Sequence, residues 1–132
     1  MQGLHITLLT AGVLGLVFLG ISIHVVRQRM LTKVMIGDGD SKPGTEGLRA
    51  AVRMHANFAE YVPLILILLG GIEHAGAPRG LVLALAVALI AARLAHAFGL
   101  PRPAPNLLRA GGAMLTWIVL LTASLTALAL AL

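Results

Sequence analysis

Four polar residues interrupt an otherwise apolar chain: Arg49, Arg53, Asn57 and Glu60, spaced i, i+4, i+8 and i+11. At about 100° per residue they fall within one narrow stripe of a helix, with Tyr61 at its edge. From Arg53 to Glu60 the stripe covers about 10 Å at 1.5 Å per residue. Arginine's planar fork suits carboxylates, while Asn57 and Glu60 suit an ammonium or amide group. Arg93, His96 and Arg109 add polar groups further along the chain. Taken together, Arg49, Arg53, Arg93 and Arg109 face one fixed anion, Glu60, and unpaired buried cations are costly. An anionic ligand would balance them, and a small peptide-like molecule with two carboxylates and one amine fits. Arg109 opens the last apolar run, where free N–H groups and the helix dipole would add to its charge. A ligand thiol placed there would ionise more readily. Buried interhelical ion pairs through Arg53 and Glu60 would be a purely structural use of the same residues, but the excess of arginine argues against that as their whole role.

The elements that must position these groups follow from composition. Of 132 residues, 58% are hydrophobic and 11% charged, against about 25% charged in a soluble domain. Mean hydropathy is +0.94. At about 20 apolar residues per membrane span, the chain holds at most four spans and no extramembrane domain. We expect an all-α membrane protein, a four-transmembrane-helix bundle with spans at about 4–30, 46–73, 80–99 and 106–132 forming a single domain. The first is read as a span rather than a cleaved leader, because no basic segment precedes it. The runs at 62–72 and 81–92 are each too short to cross alone, so each needs a polar half. Such groups normally face a bundle interior or a water-filled cavity and mark function.

Nine of the ten Lys and Arg residues lie in or beside two regions, Arg27 to Arg53 and Arg93 to Arg109. Read by the positive-inside rule, loops 1 and 3 are cytoplasmic and both termini non-cytoplasmic. The start of span two, the end of span three and the start of span four then lie at one level. Arg49, Arg53, Asn57, Glu60, Arg93, His96 and Arg109 therefore converge there. The net charge of +5 reports this topology and not nucleic-acid binding, for which five aromatic residues leave little stacking surface.

Other signals exclude chemistry. No cysteine is present, which removes disulfides, thiolate zinc sites and a cysteine nucleophile. Asp38-Gly39-Asp40 opens like a calcium loop, but Lys42, Pro43 and Arg49 occupy positions that loop needs for other residue types, so it reads as a turn. The five histidines form no pair with metal spacing, and no metal is expected. His55 points away from the polar stripe, so packing is expected of it. Gly70-Gly71 and Gly111-Gly112 read as close helix contacts.

The segment Gly37-Asp38-Gly39, followed by Leu48, Arg49, Val52, Arg53, His55, Ala56, Asn57, Phe58, Glu60, Tyr61, Val62 and Pro63, resembles the bacterial branch of the membrane-associated proteins in eicosanoid and glutathione metabolism. The family hallmark Arg-x-x-x-Asn-x-x-Glu is met by Arg53, Asn57 and Glu60, and four spans of this length extend the resemblance over essentially the whole chain. The resemblance implies a homotrimer with glutathione held as cosubstrate at the cytoplasmic end between subunits. It implies that Arg53, Asn57, Glu60 and Tyr61 bind glutathione, together with Arg49, Arg93 and His96. Arg109 stands where the family's thiolate-stabilising arginine is expected, and Arg27 or Arg29 would match a further basic contact. Ala110 and Leu100 replace the serine and tyrosine of some prostaglandin-forming relatives, so eicosanoid synthesis is not expected. The expected function is a glutathione-dependent transferase or peroxidase acting on hydrophobic electrophiles or lipid hydroperoxides in a bacterial inner membrane. A non-catalytic lipid-binding or scaffold protein of the same fold is the alternative. A small multidrug transporter is disfavoured, because the first span carries no carboxylate.

Overall fold

A computed structural model describes residues 3–39, 42–103 and 105–132. Asp40 and Ser41 of the first turn, and Ala104 of the third loop, lie outside the described residues. The chain forms four helices: α1 (His5–Thr32), α2 (Glu46–His74), α3 (Arg79–Gly99) and α4 (Leu107–Ala131). All four are long and apolar enough to cross a membrane.

Each helix buries one stripe and leaves many large apolar side chains exposed, as lipid-facing helices do, with the charged residues Glu46, Arg53 and Glu60 also exposed on α2. In α2 the buried stripe is Leu48, Ala51, Met54, Phe58, Val62, Ile65, Leu69 and Ile72, every step three or four residues. The matching stripe of α3 runs through Val82, Leu85, Leu89 and Ala92 and continues into Arg93, His96 and Gly99. Outward positions include Leu9, Leu16, Ile67, Val87, Leu121 and Leu128.

Among the described residues, α1 meets α2 and α3, α4 meets the same two, and α1 and α4 do not touch. The helices therefore stand in the ring order α1, α2, α4, α3, with α2 and α3 also in contact across it. The α2–α4 and α1–α3 sides are opposite faces of the bundle. The α3–α4 pair is close because α4 offers no side chain at Gly112. A Cβ there would lie 2.6 Å from the His96 backbone nitrogen and 2.7 Å from the Ala92 carbonyl oxygen. A Cβ at Gly99 would likewise collide with the backbone of Arg109. A Cβ at Gly70 would meet the Thr7 methyl at an ordinary 3.5 Å, and Gly71 and Gly111 face open space, so of the two glycine pairs only Gly112 makes the close contact expected of them.

The loops are held by polar side chains. The first folds back on Thr45, which is buried and donates to the carbonyls of Gly39 and Lys42, both at 2.7 Å. Gly39 has φ +77°, and a Cβ on it would lie 2.7 Å from the Thr45 side chain, so this position requires glycine. Arg29 donates to the carbonyls of Val34 and Gly37, and Lys42 donates to that of Thr32. The second connection is shorter than the Glu73–Gly80 stretch that its composition suggests. Glu73 and His74 continue α2, Arg79 and Gly80 open α3, and residues 75–78 alone connect them.

The reason lies in Glu73. Its carboxylate accepts from the backbone N–H groups of Ile6 at 2.9 Å and Thr7 at 2.8 Å, and from the Thr7 hydroxyl at 2.6 Å. The first N–H groups of a helix have no partner within it, and a carboxylate is the best cap for them. The last turn of α2 thus supplies the N-terminal cap of α1 and fixes the two helices end to end.

Candidate functional site

At the opposite end of the bundle, α2 and α4 enclose an open cleft of about 220 Å³ lined by Glu46, Arg49, Ala50, Arg53, Leu100 and Arg109. Three arginines converge there from two helices, with Glu46 the one acidic residue of the lining. Arg49 and Arg53 come from successive turns of the same α2 face, and Arg109 comes from the first turn of α4. Asn106 caps that turn, its Oδ1 accepting from the N–H groups of Leu108 at 3.0 Å and Arg109 at 3.2 Å. Two of the N–H groups expected to reinforce Arg109 toward a ligand are thereby taken. What Arg109 offers the cleft is its guanidinium.

Two buried residues of α3 support this arrangement from behind. His96, 5% exposed, pairs through Nδ1 with the Arg109 carbonyl at 3.1 Å. A carbonyl can only accept, so Nδ1 carries the proton. Arg93 is 1% exposed. Its Nη2 donates to Asn57 Oδ1 at 2.9 Å, its Nη1 reaches Thr116 Oγ1 at 3.5 Å, and its guanidinium lies 5.3 Å from the centre of the Phe58 ring. Phe58 stacks on Phe18, and Phe18 stacks on His55 at 4.6 Å. His55 therefore faces α1 and not the cleft.

The remaining candidates lie outside the cleft, on α2 and α1. Glu60 is exposed and Tyr61 half-buried, with the Tyr61 hydroxyl accepting from Trp117 Nε1 at 3.2 Å. Arg53 and Glu60 are both exposed, so they do not form buried ion pairs within this chain. Arg27 is exposed, and Arg29 is occupied with the first loop. The structure thus gathers Arg49, Arg53 and Arg109 in one cleft, sets Asn57 one turn deeper on the same stripe, and withdraws Arg93 and His96 behind it. Among the described residues no group of three or more His, Cys, Asp or Glu could hold a metal ion. Glu46, on the cleft wall, is not marked by the sequence as a site residue, because at the head of a helix it reads only as a favourable first-turn acid.

Four membrane-spanning helices with this polar stripe on the second define a class, and residues 7–129 match the MAPEG family. The chain belongs to that family. It is similar to the inner membrane protein YecN of Escherichia coli strain K12 and of Escherichia coli O6:H1 strain CFT073, in each case 37% identical over 84 residues. Each match covers 64% of this chain and 61% of the relative, so the chain spans less than two thirds of the length of those proteins. No solved structure matches it. Four apolar helices and these relatives identify a multi-pass bacterial inner membrane protein.

Proposed function

We propose that the protein is a glutathione-dependent transferase or peroxidase whose second substrate, a hydrophobic electrophile or lipid hydroperoxide, arrives from the bilayer. The observation that carries this reading is the convergence of Arg49, Arg53 and Arg109 on one cleft. Arg49 and Arg53 pair with the carboxylates of the tripeptide, and Arg109 lies beside its sulfur. A guanidinium at that point favours the thiolate over the thiol. The thiol proton leaves to solvent and the sulfur attacks the electrophilic carbon; as the C–S bond forms, either the leaving group departs with its bonding electrons or, at an activated alkene, the C=C π bond breaks and the adjacent carbon takes a proton from solvent. With a hydroperoxide the thiolate attacks oxygen instead, and a second glutathione completes reduction to the alcohol, water and glutathione disulfide. The cleft is open on the α2–α4 face, which suits completion by a neighbouring protomer of a homotrimer at the cytoplasmic end. Conjugation of a hydrophobic electrophile by the detergent-purified protein, lost in Arg109→Ala while glutathione still binds, is the expected result. Absence of glutathione binding contradicts the proposal.

One observation favours a second reading, a non-catalytic lipid-binding protein. The opposite α1–α3 face carries a groove of about 480 Å³ lined mainly by apolar residues, among them Val17, Gly20, Ile21, Leu94 and Phe98, with His24 and Arg102 also on its wall. A protein using that groove alone would retain lipid without turnover and be indifferent to Arg109→Ala.

A further inference from the structure

We propose that Arg93 is a positioning residue that turns Asn57 into a hydrogen-bond donor toward the bound tripeptide, so that Asn57 recognises an amide carbonyl and not an ammonium group. The inference rests on the glutathione reading above and specifies how that site reads its ligand.

The chemistry of the two side chains fixes the orientation. Arginine has donors only, so the atom of Asn57 that meets Arg93 Nη2 at 2.9 Å must be the carbonyl oxygen. The flipped amide would set two donor groups against each other. Oδ1 is therefore engaged by a cation, which disfavours a second cation at its remaining lone pair, and the Nδ2 amide group, which donates only, is what Asn57 offers a ligand. Asn57 is half-buried and lies one turn, about 6 Å, deeper along the helix than Arg53. The ligand's carboxylates are held at the level of the cleft arginines. A neutral acceptor, the peptide carbonyl, is what meets Asn57 beyond them.

Arg93 itself does not reach the ligand. It is 1% exposed, lies over the Phe58 ring and points Nη1 at Thr116. The Thr116 hydroxyl donates to the Gly112 carbonyl at 2.7 Å, so its oxygen is available only to accept. Among the described residues Arg93 Nε is buried and makes no hydrogen bond, and the bond to Asn57 is a polar link from this cation toward the cleft. A substitution that alters this link changes affinity for the tripeptide without touching the reacting sulfur.

The test is a titration of the detergent-purified full chain with glutathione, using wild type, Asn57→Asp, Arg93→Lys and Arg93→Met, with thermal unfolding measured on each. Asn57→Asp keeps a strong acceptor for Arg93 and removes the donor. Its thermal midpoint stays at or above that of wild type while glutathione affinity falls roughly tenfold or more. Were Asn57 the acceptor of an ammonium, the same substitution would tighten binding. Arg93→Lys, which keeps a donor, retains more affinity than Arg93→Met, and both reach the wild-type rate at saturating glutathione. Unchanged or tighter binding by Asn57→Asp, or wild-type affinity in Arg93→Met, overturns the inference while leaving the glutathione reading intact. Failure of the wild type to bind glutathione overturns both.

Discussion

At the scale of residues, the arginines divide by what surrounds them. Arg109 is exposed to the cleft and held by its backbone, through Asn106 and His96, so its guanidinium can be removed without collapsing the turn. Arg109→Ala is expected to lower turnover about a hundredfold, the usual scale for one electrostatic stabiliser, while glutathione affinity changes little. If Arg53 holds a tripeptide carboxylate as proposed, Arg53→Ala removes a contact made in ground state and transition state alike. It should raise KM with little change in kcat, measured by steady-state kinetics in glutathione. The convergence of Arg49, Arg53 and Arg109 is legible in the sequence, because topology alone brings the start of one span beside the start of another. The withdrawal of Arg93 and His96 is not. Both lie in the polar half of a span, and only packing against Phe58, Thr116 and the α4 backbone shows that they face inward behind the cleft.

At the scale of elements, two contacts fix the helices that carry the site. Gly112 lets α4 approach the backbone of α3 at Ala92 and His96. Gly112→Ala forces that pair apart, and a loss of about 1–3 kcal/mol is expected, read as a lower midpoint of thermal unfolding in detergent. The same displacement separates His96 from the Arg109 carbonyl, so glutathione turnover falls with stability. Glu73 works at the other end. Glu73→Ala leaves the N–H groups of Ile6 and Thr7 without their cap, costing about 1–3 kcal/mol. Because that end is remote from the cleft, glutathione affinity of the folded fraction should be unchanged. The hydropathy of the four spans was readable residue by residue, and so was the turn chemistry of Gly37 to Gly44. The role of Glu73 was not, since its partners lie 66 and 67 residues away in sequence and its neighbours Gly76 and Pro78 read as loop.

At the scale of the whole molecule, one end of the bundle carries the arginine cleft and the other a clasp. The α2–α4 face carries the polar cleft, and the opposite α1–α3 face carries an apolar groove. The charge of the basic loops predicts that they lie at the cytoplasmic face. This can be checked directly because the chain has no cysteine. A single cysteine introduced at Lys42 or Arg102 should resist a membrane-impermeant thiol reagent in intact cells and react after permeabilisation. Labelling in intact cells would reverse the topology and place the cleft on the outer side. The same charge asymmetry explains why a strongly basic composition says little about partners in a membrane protein: the arginines either mark the inner face or turn inward to a site.

The arginine cleft is proposed to bind glutathione and to hold its sulfur as a thiolate. Titrating the detergent-purified protein with glutathione at neutral pH, while recording heat and the ultraviolet absorbance of the thiolate, tests this most directly. Saturable binding is expected, accompanied by thiolate absorbance in the wild type, with the absorbance lost and the binding kept in Arg109→Ala. No saturable binding, or equal thiolate absorbance in the two proteins, would contradict it.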